Sequence, residues 1–247
     1  MKQYPLVSVV VTCYNYGKYL DESVSSALHQ TYKHVEVIII NDGSTDNTDE
    51  VAKQLAMRNK NVRYITQDNK GVVATRNRGL KEVKGEFYLQ LDADDYLDPD
   101  YIEKTVNVAE RENADIVYTD FKKFGATKDV SAFPEYNLEI LKNQNFIHIS
   151  SLVRVKSLNG IRFDEVLTGL THEDWDFFLT MCVNGAKAIK CSETFLNYRI
   201  HNLSRNNHMK DMTEGRRYID VYSYIIRKHM NNGRAAEFEY LSGLNLA

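Results

Sequence analysis

The sequence predicts an α/β fold, with a mainly parallel central sheet flanked by helices and a helical tail at the C-terminal end. Apolar runs of strand length alternate with amphipathic stretches through the first half of the chain. The runs are continuous or nearly so, as strands covered on both faces must be. A polar loop follows each of them. Strand, helix, strand in repetition gives parallel pairing through right-handed crossovers, and ligands then bind beyond the carboxyl ends of the strands.

Strands are expected at residues 7–11, 35–40, 62–65 and 87–91. Between the first two, Leu20, Val24, Ala27 and Leu28 recur at helical spacing. Val51 and Leu55 follow a "DGSTDNT" start, and a third helix spans 72–83 and stops before Gly85. A helix from Pro99 reaches to about Glu112, "DIVYTDF" reads as a strand, and residues 122–145 are weakly patterned and expected to be irregular. The stretch "THEDWDFFLTMCVNGA" predicts a helix because Trp175, Phe178, Leu179, Cys182 and Val183 share one face, with Gly185 just past its end. A strand follows at 195–200. From about Thr213, Tyr218, Val221, Tyr222 and Ile225 repeat at helical spacing beside Arg216, Arg217, Arg227 and Lys228. This tail is either a helix packed on the main domain or one that docks on a partner or a membrane surface.

The 247 residues suit one large domain with an appendage, and a net charge of −3 argues against a nucleic-acid partner. Cys13, Cys182 and Cys191 are scattered and lack metal-ligand spacing, which fits a reducing compartment. The apolar run at 7–11 is too short for a leader or a membrane span, so a cytoplasmic protein is expected.

The segment "FYLQLDADDYLDPD" runs from an apolar strand into five aspartates with no basic residue among them. Two carboxylates about 4 Å apart repel by roughly 1 kcal/mol even in water, so the cluster calls for a counter-charge. On extended backbone Asp92 and Asp94 share one face, and hard oxygen ligands of this kind suit magnesium or manganese, with a diphosphate supplying further oxygens. An EF-hand starting at Asp92 is excluded because Leu97 fills the glycine position and Pro99 interrupts the loop. An aspartyl-phosphatase motif is disfavoured by Tyr96 and by its place on the fourth strand. Asp42 is either a turn residue or an acceptor for the ring N–H of a pyrimidine base, to which Thr12 and Tyr14 offer a hydroxyl and a stacking ring. Lys70, Arg76 and Arg78 are either surface residues or diphosphate contacts at the third helix. Glu173 and Asp174 open a helix, where an acid serves the helix dipole or, kept ionised by it, a general base. His201, beyond the last strand, is structural or a metal ligand.

Taken in order, "VSVVVTCYNYGKYLDESVSSALHQTYKHVEVIIINDGSTDNT", "GVVATRNRGL", "LDADD", "HEDWDFFLTM" and "YRIHNLS" resemble the family-two glycosyltransferases, inverting enzymes of the GT-A (nucleotide-diphospho-sugar transferase) fold. The resemblance covers about residues 6–205 and implies a domain over 1–205. Its nucleotide-sugar-binding half is 1–98, its acceptor-binding half is 99–205, and a helical extension follows at 206–247. It implies nucleoside contacts at Thr12, Tyr14 and Asp42, a ribose or metal-water contact at Asp92, and a direct metal ligand at Asp94. The catalytic base falls on Asp174, Arg76 and Arg199 occupy basic positions assigned to phosphate, and His201 matches a metal or diphosphate contact of some relatives. The implied activity is metal-dependent transfer from a UDP-sugar to a carbohydrate or lipid-linked saccharide in polysaccharide or glycoconjugate synthesis, with a manganese or magnesium ion as cofactor. It places the protein in the cytoplasm or at the inner face of the membrane, with the tail as the means of peripheral attachment. The competing classes are a sugar-nucleotide-binding module without activity, against which Asp94 and Asp174 stand, and a sugar-1-phosphate nucleotidyltransferase. The latter requires a Gly-rich, Arg-containing first loop where this chain has "TCYNYGKY".

Overall fold

The backbone alternation of four parallel strands decides where the two cores lie. In the computed structural model, which describes residues 4–201 and 212–230 with side chains described at 4–201 and 219–229, these strands are β1 (Val7–Cys13), β2 (Val35–Asp42), β3 (Val62–Gln67) and β4 (Phe87–Asp92). They pair in the order β3-β2-β1-β4. Successive side chains point to opposite faces. Val9, Val11, Ile39 and Leu89 therefore join a core with α1 (Gly17–Leu28) and α2 (Thr48–Arg58), while Val10, Ile38, Ile40 and Tyr88 join a second core. Both faces are covered, which explains why the strands read as continuous apolar runs. The helix α3 (Gly71–Glu82) returns the chain to β4.

The second half departs from the expected parallel pattern. After β4 come β5 (Tyr96–Leu97), α4 (Tyr101–Glu112), β6 (Ile116–Gly125), β7 (Asp129–Ser131), α5 (Leu138–Leu141), β8 (Leu152–Arg154), α6 (Glu173–Val183), β9 (Ala188–Ile200) and α7 (Met212–Met230). The strand order is β3-β2-β1-β4-β8-β6-β9-β5, with β7 paired to β6. The pairs β4–β8, β6–β8 and β5–β9 are antiparallel, whereas β6–β9 is parallel, so the sheet is mixed and mostly parallel in its first half. Residues 122–145, expected to be irregular, hold the end of β6, all of β7 and α5. The strand expected at 195–200 begins at Ala188. A register shift opposite Thr119 and Asp120 breaks its alternation, so the sequence pattern shows only its last part. At three residues, β8 is too short to produce a pattern.

Helix α6 is buried more nearly all round than its expected single face. Phe177 and Met181 are buried along with Trp175, Phe178 and Leu179, whereas Val183 is only half-buried. The α6 helix is held by its neighbours. Trp175 Nε1 donates to the Leu141 carbonyl at 2.7 Å, and the Tyr222 ring of α7 lies 4.9 Å from the Trp175 ring. Of the two readings of the tail, packing is the one observed for α7. Val221, Tyr224 and Ile225 are buried in the second core, and Lys228 Nζ reaches Asp164 at 2.6 Å and Asp176 at 2.9 Å. Lys228, counted in the sequence among basic residues available for docking, is thereby an internal ion-pair partner. Arg216, Arg217 and Tyr218 have side chains outside the described residues, as does the 205/206 boundary. Among the described residues, no helix is long and apolar enough to cross a membrane.

Candidate active site

The loops beyond β1, β2 and β3 are tied to one another before any ligand is considered. Asn15, at a left-handed φ of 58°, donates its backbone N–H to Ser44 Oγ at 2.9 Å and accepts from Thr45 N at 2.7 Å through Oδ1. Gly43 has φ +72°, and a Cβ there would stand 2.6 Å from Asn69 N. Only glycine permits that approach of the β2 and β3 loops. It lets Asp42, 4% exposed, accept from Gln67 Nε2 at 2.8 Å and from the backbone N–H groups of Lys70 and Gly71 at 2.9 Å each. The Asp42 carboxylate therefore pins the start of α3. Thr12 accepts from Gln90 Nε2 at 2.9 Å, and Tyr14 is exposed beside it in sequence.

Beyond β4 the chain turns sharply. Asp95 N donates to the Asp92 carbonyl at 3.1 Å, so Ala93 and Asp94 lie in a turn rather than on the extended backbone expected from their spacing. The two carboxylates remain close enough to interact. Burial and then the charge of Asp92 raise the Asp94 pKa, against a hydrogen bond from His201. His201 Nε2 lies 2.9 Å from Asp94 Oδ2, with the Tyr16 and Tyr19 rings each 5.5 Å from the imidazole. Asp95, 2% exposed, is pushed well above the usual carboxylate range by burial and by Asp94 and Asp92. Arg199 clamps this turn. Its backbone N–H donates to Asp95 Oδ1 and its Nε to the Asp94 carbonyl, both at 2.8 Å, while Nη2 pairs with Glu22 and the guanidinium stacks on Tyr19 and Phe124.

Arg76 joins the two halves of the chain. It is 3% exposed and donates through Nη1 to Glu173 at 2.7 Å and through Nη2 to Asp92 at 3.0 Å. Burial opposes its charge, but Asp92, Glu173 and Asp174 outweigh burial and raise its pKa. Arg76 and Arg199 are thus both engaged by protein oxygens, while Arg78 is a surface residue paired with Glu82 one turn on.

Asp174 stands in the first turn of α6. Its Oδ1 accepts from Trp175 N at 2.8 Å and from Asn145 Nδ2 at 3.3 Å. The helix N-terminus alone would hold this acid ionised well into the acid range. Instead burial and the neighbouring Glu173 raise its pKa, with Arg76 opposing them. Asp92 and Asp95, Arg76, Glu173 and Asp174 line a cavity of about 360 Å³ together with aromatic side chains, whereas Asp94, Asp42, Arg199 and His201 are not in that lining. Asn145 and His148, also in that lining, escaped the sequence reading because they fall in or next to its weakly patterned stretch. Glu173 was legible only as the partner of Asp174, and its bond to Arg76 has no sequence signal. Among the described residues no cluster of three metal-ligating side chains occurs.

The chain matches the family model described as Glycosyl transferase family 2 over residues 8–166. It is 39% identical over 120 residues to the glycosyltransferase GlyG of Streptococcus pneumoniae serotype 4. That alignment takes in 48% of this chain and 40% of GlyG, so the chain spans less than half the length of this relative. Its fold is similar to that of S. aureus TarS 1–349 in complex with UDP-GlcNAc, with a TM-score of 0.76 and 22% identity over 95% of this chain and 69% of that one. It is also similar to the mannosyltransferase PcManGT of Pyrobaculum calidifontis in complex with GDP-Man and Mn²⁺, with a TM-score of 0.72 and 17% identity over 95% and 66% of the two chains. At such identities the likeness is one of fold.

Proposed function

The chain belongs to glycosyl transferase family 2, and from that premise we propose that it moves a sugar from a UDP-sugar to an acceptor hydroxyl with inversion at the anomeric carbon. The acceptor is a carbohydrate or lipid-linked saccharide of polysaccharide or glycoconjugate synthesis, met on the cytoplasmic side of the membrane. The observation that carries this reading is the meeting of Asp174 with Asp92 and Asp95 at one cavity, the acids arriving from opposite halves of the chain.

Asp174 takes the proton from the acceptor hydroxyl as that oxygen attacks the anomeric carbon. The bond from that carbon to the diphosphate oxygen breaks on the opposite side, and its electron pair leaves with the diphosphate. The raised pKa of Asp174 makes it a stronger base than an exposed aspartate. Trp175 N–H and Asn145 hold its Oδ1, so the acceptor proton goes to Oδ2.

On the donor side, Asp42 uses three of its roughly four lone-pair sites on protein donors and keeps one on Oδ2. That site accepts the N3–H of uracil, whereas cytosine presents an unprotonated nitrogen there. Thr12 and Tyr14 complete the nucleoside contacts. UDP-GlcNAc in TarS supports this choice, and GDP-Man in the mannosyltransferase means that Asp42, not the fold, must carry it.

Asp94 and His201 fit a divalent manganese or magnesium ion. They place a carboxylate oxygen and an imidazole nitrogen side by side, and a cation would offset the burial and the Asp92 charge that raise Asp94. Asp92 adds an outer contact, and the diphosphate and water would supply the remaining ligands. When bound, the ion would neutralise charge on the departing diphosphate. Arg76 and Arg199 hold the acids in place rather than the phosphates.

A thermal-shift series with UDP, CDP and GDP, each with and without manganese, tests this function. UDP with manganese is expected to raise the melting temperature most, by an amount corresponding to about 2.7 kcal/mol at a hundredfold excess over Kd. GDP or CDP stabilising more than UDP would refute the uracil assignment, and no response to any nucleotide would refute the function.

A further inference from the structure

One wall of the cavity is left over from the chemistry assigned to Asp174. Asn145 donates through Nδ2 to Asp174 at 3.3 Å, while its Oδ1 is buried and has no hydrogen-bond partner among the described residues. His148 Nε2 lies 3.2 Å from Thr119 Oγ1, and its Nδ1 is likewise buried without a partner. Burial lowers the His148 pKa to about 4, so the ring is neutral at pH 7. Buried polar atoms are nearly always satisfied, and two orphans in one lining point to a ligand that satisfies them. Beside them the Phe121 ring is 5.1 Å from Tyr198 and 5.2 Å from Phe133, all three in the same lining. Aromatic walls with a few placed polar atoms suit the apolar face and the hydroxyls of a sugar ring.

Charge narrows the choice. Asp92, Asp95, Glu173 and Asp174 also line the cavity, and the guanidinium in that lining, Arg76, already donates to Asp92 and Glu173. An anionic group would enter among four carboxylates whose guanidinium is already bound, with His172 the other basic side chain in the lining besides neutral His148.

Resting on the transferase reading above, we propose that this cavity receives an uncharged sugar ring of the acceptor, bonded through hydroxyls to Asn145 Oδ1 and His148 Nδ1 and stacked on the Phe121–Tyr198 wall. The Asn145 amide sets the register. Its nitrogen touches the base and its oxygen takes a hydroxyl next to the one that Asp174 deprotonates. Uronic acids and sugar phosphates are refused at this position by the surrounding acids.

Saturation-transfer NMR on the full chain, loaded with UDP and magnesium, tests the proposal with octyl β-glucoside, octyl β-galactoside and octyl β-glucuronide as probes. UDP affinity is measured by calorimetry on the same preparations. At least one neutral glycoside is expected to bind, the glucuronide at least tenfold more weakly. Asn145→Ala and His148→Phe are each expected to weaken the neutral glycoside tenfold or more while keeping UDP affinity within about twofold. The proposal is overturned if the glucuronide binds as well as the neutral probes, if no glycoside binds the UDP-loaded protein, or if both variants bind the glycosides unchanged. Loss of UDP binding in the unmutated chain would instead overturn the transferase reading itself.

Discussion

Asp174 is the residue on which the proposed chemistry turns, and its surroundings make two expectations separable. Asp174→Asn keeps size and the bonds to Trp175 and Asn145 but removes the proton acceptor. UDP affinity is expected to stay within a few-fold while single-turnover transfer falls by about 10²-fold or more. Near-normal turnover in the variant would assign the base elsewhere. The second expectation concerns pH. Protonation of Asp174 removes the base, so transfer declines as pH falls through the folded pKa. Because burial and Glu173 raise that pKa, the decline begins at higher pH than for an exposed aspartate. Glu173→Gln removes one raising charge while leaving an oxygen for Arg76, so the acid limb of the kcat profile should move to lower pH. An unmoved limb would show that Glu173 does not tune the base.

At the level of elements, α6 carries the base and α7 braces α6. Asp176, 1% exposed on α6, receives Lys228 Nζ and His229 Nε2 from α7 at 2.9 Å each, and Asp164 receives Lys228 and Tyr224. Burial works against the Lys228 cation, but Asp176 and Asp164 outweigh it and keep its pKa above the ordinary value. Lys228→Met would take the cation from Asp164 and leave Asp176 with His229 alone, and breaking a buried pair in this way costs about 3 kcal/mol or more. Urea unfolding should register that loss, whereas Ile219→Ala, at a residue 64% exposed on the same helix, should stay within about 0.5 kcal/mol. Equal effects would mean that the ion pairs contribute nothing to docking α7.

For the whole molecule, the acid cluster sets a conflict between binding and stability. Asp94, Asp95 and Asp174 have folded pKa values above their ordinary ones. Between the ordinary range and the raised values the folded state holds protons that the unfolded chain has lost, so stability falls as pH rises through that window. Asp95→Asn, which keeps an oxygen for the Arg199 N–H, is expected to flatten this dependence and to raise the melting temperature at pH 7.5 more than at pH 5. A variant with the same slope as the parent would remove Asp95 from the account. Above those raised values the free protein thus carries a charge repulsion that a cation would relieve, and Arg76 relieves part of it already from within.

The strands β1 to β4, the helices between them and the acids at their carboxyl ends are legible in the order of residues alone. Burial on both faces writes continuous apolar runs, and a helix buried on one side writes its period into its own residues. Motif order likewise makes Asp42, Asp92, Asp94 and Asp174 candidates. What those residues touch follows from the folded arrangement. The Asp92 to Asp95 turn overrode the extended spacing, and Asp42 closed on the backbone of Lys70 and Gly71. Arg76, expected to face phosphate, met Glu173 from 97 residues away. The short strand β8 and the orphan atoms of Asn145 and His148 likewise had no periodic trace. The physical reason is range, since periodicity and spacing report neighbours along one element, whereas partners across the cavity are brought together by the order of strands in the sheet. That order places β8 between β4 and β6, and it brings the two halves of the chain to one cavity.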